Sequence, residues 1–462
     1  MEQTTAKKNK YEIDMCNGTI MDKLISFSLP LMLSGILQLM FNAVDIIVVG
    51  RFSGSQALAA VGSTSALINV FTNLFIGISL GANVLTARFY AAGREKEVSE
   101  TVHTAITLAL VSGIVMALVG LVFSKGALAL MGTPDDVIGL SALYMRIYFL
   151  GMPFFMLYNY GAAILRAVGD TKRPLLFLMI AGVINACLNM VLVIVFKLGV
   201  AGVAIATVIS QMISCVLVLR CLCQSESSYR LRFSELVMKG YYLKQIFSVG
   251  VPAGIQSTVI NFSNVLLQSS VNSFGSTAMA GYTAANNLLG FLYVSVNSIT
   301  QACMSFTSQN YGVGKLKRMD RVLADCMILS VVVAVVLGCI CYGFGPEILQ
   351  IYTEDAEVIA CGMEILAYTT ITYFLCGWMD LFPGALRGMG YSAVPMVLSV
   401  IGTVGTRVVW IFGIFPYHRS LAILFISYPA SWIITIVLQV ICFYFVRRRV
   451  HRRSQALAGQ EG

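Results

Sequence analysis

The sequence predicts an all-α integral membrane protein of twelve transmembrane helices, built as two six-helix bundles related by internal duplication, with both termini cytoplasmic. Three observations carry that reading. Of 462 residues 58% are hydrophobic and 11% charged, against roughly 25% charged in soluble globular domains. Apolar stretches of about 20 residues, the length a helix needs to cross roughly 30 Å of hydrocarbon, recur along the whole chain. Residue patterns of the first half also return in the second half at a nearly constant offset.

Hydropathy places the first six spans near 25–50, 57–86, 101–124, 139–165, 174–196 and 199–222. The second six follow near 246–273, 278–308, 322–344, 358–385, 393–415 and 421–446. These stretches are too long and too uniformly apolar for the alternating strands of a barrel. The expected organisation is a cytoplasmic segment 1–24, a bundle 25–222, a connecting loop 223–245, a bundle 246–446 and a basic tail 447–462.

Orientation follows from the basic residues. With both termini inside, 25 of the 31 lysines and arginines fall on the cytoplasmic side, including Lys7, Lys8, Lys10 and Lys23 at the N-terminus. Arg51, Lys125, Lys197 and Arg419 alone fall on the other, and Arg146 and Arg407 lie within spans. The formal charge of +9 is therefore a topology signal and not a nucleic-acid footprint. The N-terminus lacks the short apolar core of a cleavable signal, so the first helix is read as the targeting signal to the inner cell membrane.

Twelve scattered cysteines, without a CxxC pair, read as small packing residues and not as a disulfide or metal framework. The three histidines, His103, His418 and His451, stand singly, and no HExxH, GxSxG or P-loop is present. Enzyme chemistry is not expected, and neither is a cofactor.

The duplication is legible residue by residue. Leu165-Arg166-Ala167-Val168-Gly169 ending in Pro174 returns as Leu386-Arg387-Gly388-Met389-Gly390 ending in Pro395, 221 residues on. Tyr90 and Gly93 return as Tyr311 and Gly314 at the same offset, while Pro30, Asn42 and Phe52 return as Pro252, Asn264 and Phe274 at 222. Two halves in parallel orientation suit a cargo cavity near the membrane midplane that opens alternately to each side.

Ionisable residues inside a span are costly and mark function. Asp45 is the leading position, and Gln38, Asn42 and Asp45 share one helical face at i, i+4, i+7. Its repeat mate is Leu267, so the fold itself requires no carboxylate there. Asn185 and Asn189 share a face of the fifth span, and Thr207 and Gln211 a face of the sixth. Asn261, Asn264 and Gln268 form a polar face in the seventh span. Asp380 lies two turns before Arg387 in the tenth. Arg407 is expected to neutralise an acid or bond carbonyls, and Arg166 and Arg387 to anchor loops. Pro30 removes a backbone hydrogen bond fifteen residues before Asp45 and offers a hinge.

Asn42, Asp45, Gly50 and Gly54 around the first helix end, "LRAVGD" at 165–170, "LRGMG" at 386–390 and "GVAGVAIATVISQ" at 199–211 together resemble the multidrug and toxic compound extrusion transporters over nearly the full chain. The resemblance implies an antiporter in the lipid bilayer that expels small organic cations against protons or sodium, and a monomer is expected. It also implies an ion-coupling cluster at Asp45, Asn185, Asn189 and Thr207, a sodium site if sodium is the coupling ion. Many relatives carry an aspartate where this sequence has Asn189, which leaves Asp45 as the cluster's one carboxylate. The alternative cargo within the same superfamily is a lipid-linked oligosaccharide or a metabolite. Flippases of that kind bring a strongly cationic cavity, whereas the polar faces here are mostly neutral amides.

Overall fold

Without water to serve them, backbone N–H and C=O groups must bond within helices or a closed barrel. The computed structural model is 85% helix, with no strand among the described residues. It describes residues 10–458, without the side chains of residues 55, 66, 453, 454 and 456–458. Lys7 and Lys8 of the basic N-terminus and the end of the tail 447–462 lie outside the described residues.

In the first half the helices are α1 (Met21–Phe52), α2 (Ser55–Ala91), α3 (Glu95–Leu130), α4 (Asp135–Leu150), α5 (Met152–Ala167), α6 (Lys172–Asn189) and α7 (Gly199–Cys223). The second half has α8 (Gly240–Asn272), α9 (Ser276–Gly312), α10 (Leu316–Gly343), the short α11 (Gly345–Gln350), α12 (Ala356–Thr369) and α13 (Tyr373–Gly388). It ends with α14 (Ala393–Ser399), α15 (Thr406–Val409) and α16 (Leu421–Ala458). Among the described residues eight helices are each long and apolar enough to cross a membrane, or up to ten if each of two bent pairs is one span. Those pairs are α4 with α5, bent by 47°, and α12 with α13, bent by 51°.

The two halves bend and turn alike. Left-handed glycines open or close corresponding loops: Gly54 and Gly275 (φ 85° and 100°), Gly93 and Gly314 (67° and 70°), Gly169 and Gly390 (97° and 90°). A side chain would clash in that region, so glycine is retained at each pair. The corresponding segments α6 and α14–α15 both pass into π-helical stretches, Met190–Val195 in one, Val400–Gly405 and Trp410–Ile414 in the other. Such turns are rare and gather at functional sites.

The surface is apolar where a soluble protein would be polar. Val122 (69% exposed), Phe412 (71%) and Val195 (69%) point outward, while Asn83, Asn185, Asn189, Asn310 and Gln439 are buried. That inversion fits a hydrocarbon solvent.

Two units divide the described chain. The N-terminal unit comprises residues through Ile13 and Leu33–Val251, and the C-terminal unit Asp14–Met32 and the chain from Pro252 onward. The division falls inside α1 and α8, close to Pro30 and Pro252, and not in the 223–245 connection. In the N-terminal unit Glu12 accepts from the Tyr90 and Tyr229 hydroxyls, both at 2.7 Å. The connecting loop docks on α3: buried His103 accepts from Arg232 N at 3.1 Å through Nε2, and Nδ1 faces Ser99 O at 2.7 Å. Lys239 Nζ meets Glu100 at 2.5 Å. In the C-terminal unit the Phe27 and Phe306 rings meet edge to face at 5.6 Å. There Met15, Cys16, Asn17 and Gly18 offer carbonyls to Asn310, Lys315 and Arg318.

Glycine sets how closely α2 meets the first part of α8. A Cβ at Gly81 would stand 2.2 Å from Ile246 O, and one at Gly250 2.4 Å from Ile78 Cα. Backbone cannot yield as a side chain can. Gly81→Ala and Gly250→Ala are each expected to lower the Tm of the detergent-solubilised protein, at the roughly 1–3 kcal/mol typical of overpacking. An unchanged Tm in both would refute the contact.

Candidate functional site

The N-terminal unit gathers a polar cluster from three helices. Asp45 lies in the last two turns of α1, Asn185 and Asn189 at the end of α6, and Thr207 in α7. Asn189 Nδ2 donates to Asp45 Oδ1 across 144 residues of sequence and lies 3.2 Å from Asn185 Oδ1. Thr207 stands beside the carboxylate and gives its own proton to Val203 O at 3.0 Å. Asn185 is 5% exposed, Asn189 fully buried and Asp45 half-buried, so the carboxylate is reachable while its partners are fixed.

Close helix contact creates this geometry. A Cβ on Gly182 would fall 1.8 Å from the Phe41 ring, so α6 sits directly against α1. Asp45 follows Phe41 by one turn, and Asn185 and Asn189 follow Gly182 by one and two turns. Gly182→Val should wedge the helices apart and lower the Tm of the detergent-solubilised protein, at the roughly 1–3 kcal/mol typical of overpacking, with Gly182→Ala milder because the Phe41 ring can swing. An equal Tm for wild type and Gly182→Val would show that this contact does not hold α6 against α1.

Sodium is a hard cation that takes oxygen ligands. The cluster supplies the Asp45 carboxylate, the Asn185 and Asn189 amide oxygens and the Thr207 hydroxyl. Asn189 Oδ1 is buried without a hydrogen-bond partner, on the other side of the amide from the nitrogen that faces Asp45 and Asn185. The set offers one carboxylate to a proton; Asn189 Nδ2, bonded to the Asp45 and Asn185 oxygens, stands where sodium would sit, so the amide has to turn over before its oxygen can join a sodium site. Among the described residues no group of three or more His, Cys, Asp or Glu side chains could hold a metal ion.

Sequence reasoning missed two tyrosines. Tyr144 and Tyr148 of α4 stack at 6.1 Å, within electrostatic reach of Asp45, and Tyr148 also meets Gln211. Their i, i+4 spacing was a visible signal, but many apolar spans carry such pairs. Gln38 and Asn42 share the Asp45 face of α1 yet are exposed, and no hydrogen bond joins them to the cluster.

The C-terminal unit holds a second polar group. Asn264 on α8 accepts from Arg407 Nη1 at 2.7 Å, while Asn261 is exposed. Asp380, partly exposed on α13, lies in the field of Arg387. Arg387 was expected to anchor a loop. Instead it is buried and donates to Gln256 Oε1 at 2.6 Å. Among the described residues Arg407 meets no acid: its acceptors are Asn264 and, at 3.3 Å, Ser263, and its guanidinium lies 4.6 Å from the Tyr428 ring centre.

The MatE family model matches residues 30–191 and again 252–412, once in each half. The chain is 31% identical over 436 residues to the probable multidrug resistance protein YoeA of Bacillus subtilis, covering 92% of this chain and 93% of that protein. It is 22% identical over 382 residues to the multidrug export protein MepA of Staphylococcus aureus, covering 82% and 84%. In fold it is similar to the Vibrio cholerae MATE transporter VcmN, with a TM-score of 0.85 at 18% identity, covering 94% and 97%.

Proposed function

The chain belongs to the MatE family of membrane transporters, and from that premise we propose that it is a secondary active exporter of small organic cations, driven by protons or sodium. The observation that carries the reading is the Asp45–Asn189–Asn185 cluster: one reachable carboxylate among buried neutral amides. A lone carboxylate there changes charge on taking up a proton or sodium ion. An intramembrane charge is costly enough for that change to bias a conformational equilibrium.

In this proposal twelve spans cross the inner cell membrane with both termini cytoplasmic, and the monomer works without a cofactor. Coupling resides at Asp45, Asn185, Asn189 and Thr207. Gln38, Asn42, Gln211, Asn261, Asn264 and Asp380 face the cargo path. Pro30 lets α1 bend when Asp45 changes charge, because proline leaves an i−4 carbonyl without its donor. What supports the hinge is its place two residues before α1 passes from one unit to the other.

Ethidium efflux from vesicles under separately imposed proton and sodium gradients tests the function. Export driven by one gradient identifies the coupling ion. If neither gradient moves any cationic dye, multidrug export is overturned.

A further inference from the structure

The connecting loop is held on α3 by a histidine whose protonation state its partners dictate. His103 is 4% exposed. Nδ1 lies 2.7 Å from Ser99 O, a carbonyl that only accepts, so Nδ1 carries a proton. Nε2 lies 3.1 Å from Arg232 N, a backbone group that only donates, so Nε2 carries none. The ring is therefore neutral, and its one acceptor atom holds the loop. The repeat mate of His103 is Ala324, so the helical bundle itself requires no imidazole there.

The surroundings also supply a partner for the charged ring. Glu235 Oε2 stands 3.9 Å from Nε2, and Glu235 Oε1 accepts from Arg232 Nη1 at 2.8 Å. The bond from Arg232 holds the Glu235 carboxyl below the usual carboxylate range, so it stays ionised where a histidine takes up a proton. The other charged groups around the ring are Lys96 and Glu100 from α3 and Lys239 from the loop. Lys239 is paired with Glu100, which also bonds Tyr242 of α8. A cavity of about 450 Å³ between α3 and the loop is lined by His103, Lys96, Glu235 and Lys239. The Glu235 and Lys239 side chains are 46% and 47% exposed, so this cavity brings solvent to the imidazole.

We propose that His103 is a pH-sensitive latch for the connecting loop. A second proton, at Nε2, turns the acceptor into a donor. It breaks the bond from Arg232 N–H and pairs the ring with Glu235, drawing that carboxylate away from the Arg232 guanidinium. Both ties of Arg232 weaken at once. The bond further along stays, since Lys239 N donates to Thr104 Oγ1 at 3.3 Å and neither group titrates. Acid on the loop's side of the membrane thus frees the stretch around Arg232 and leaves the anchor at Lys239. That side is the cytoplasm in the topology proposed above, but the latch depends on neither the cargo nor the coupling ion. A His103 that served only as a fixed anchor would hold the loop equally at every pH.

Hydrogen exchange of the full-length protein in detergent, read at single amides by mass spectrometry and corrected for the intrinsic rate at each pH, tests the latch. In wild type the protection of Arg232 N–H is expected to fall at least about tenfold from about pH 8 to about pH 5.5, the order of one lost hydrogen bond, while that of Lys239 N–H holds. His103→Gln keeps an acceptor near the place of Nε2 without a titrating ring, and should protect Arg232 alike at both pH values. Glu235→Gln is a change at an exposed position that leaves the packed ring in place, and it serves where His103→Gln is not recovered folded. It removes the carboxylate that favours the charged imidazole, so the midpoint of the Arg232 transition should move to lower pH. Equal protection of Arg232 at both pH values in wild type assigns His103 to the scaffold and overturns the proposal. A fall that persists in His103→Gln, or a midpoint that Glu235→Gln leaves in place, overturns it as well. Loss of protection at Lys239 as large as at Arg232 marks general unfolding in acid and overturns the local latch.

Discussion

Asp45→Asn is expected to cut gradient-driven dye efflux at least about 100-fold, because it deletes the one charge in the cluster with little change in shape. A hydrogen bond to a charged group is worth about 1.5–3 kcal/mol, and the upper end of that range corresponds to a factor of about 100 or more. The larger consequence is qualitative. Asparagine cannot exchange a proton and contributes no negative charge to sodium, so in the proposed mechanism cargo movement is severed from the gradient. The measurement is ethidium efflux from proteoliposomes under an imposed proton or sodium gradient, alongside exchange of dye down its own gradient. Downhill exchange should persist in the variant. Coupled efflux at the wild-type rate would place coupling elsewhere, with Asp380 next to be tested.

Asn189→Leu should be the next most damaging change, lowering coupled efflux roughly 10- to 100-fold. Asn189 is fully buried and supplies the amide donor to Asp45. Leucine of similar size removes that donor and the unpartnered Oδ1 together, leaving the carboxylate beside an apolar side chain. Asn189→Asp probes the same position with the opposite charge consequence. A second carboxylate raises the anionic oxygen count and should shift coupling toward sodium, measured as the ratio of sodium-driven to proton-driven efflux. Wild-type efflux from Asn189→Leu, under both gradients, would remove Asn189 from the proposed coupling cluster.

Much of the site could be read from spacing along single helices. Asn185 and Asn189, four apart, face together as their period demands. Asp380 and Arg387, seven apart, share α13 and each other's field. The same rule placed Gln38 and Asn42 with Asp45, but sharing a face does not ensure sharing a partner, and both stay exposed. The tyrosines of α4 escaped because nothing in their own helix says that Asp45 lies beside them. Arg387 was read from its place beside a turn, whereas its burial depends on α8 bringing Gln256 against it.

By itself the sequence determined the membrane class, the helical content, the repeated turns and the residue types available to the cluster. Each of these rests on composition, local periodicity or internal comparison, and an apolar chain without water has few other ways to satisfy its backbone. Only the tertiary structure decided which polar groups meet. Asp45 meets Asn189 because Gly182 lets α6 approach Phe41 of α1. Arg407 reaches Asn264 and Tyr428 because three separate helices converge on it. Contacts between helices depend on which small residues permit close approach and where π-helical turns shift a face. Periodicity within one helix carries no record of either.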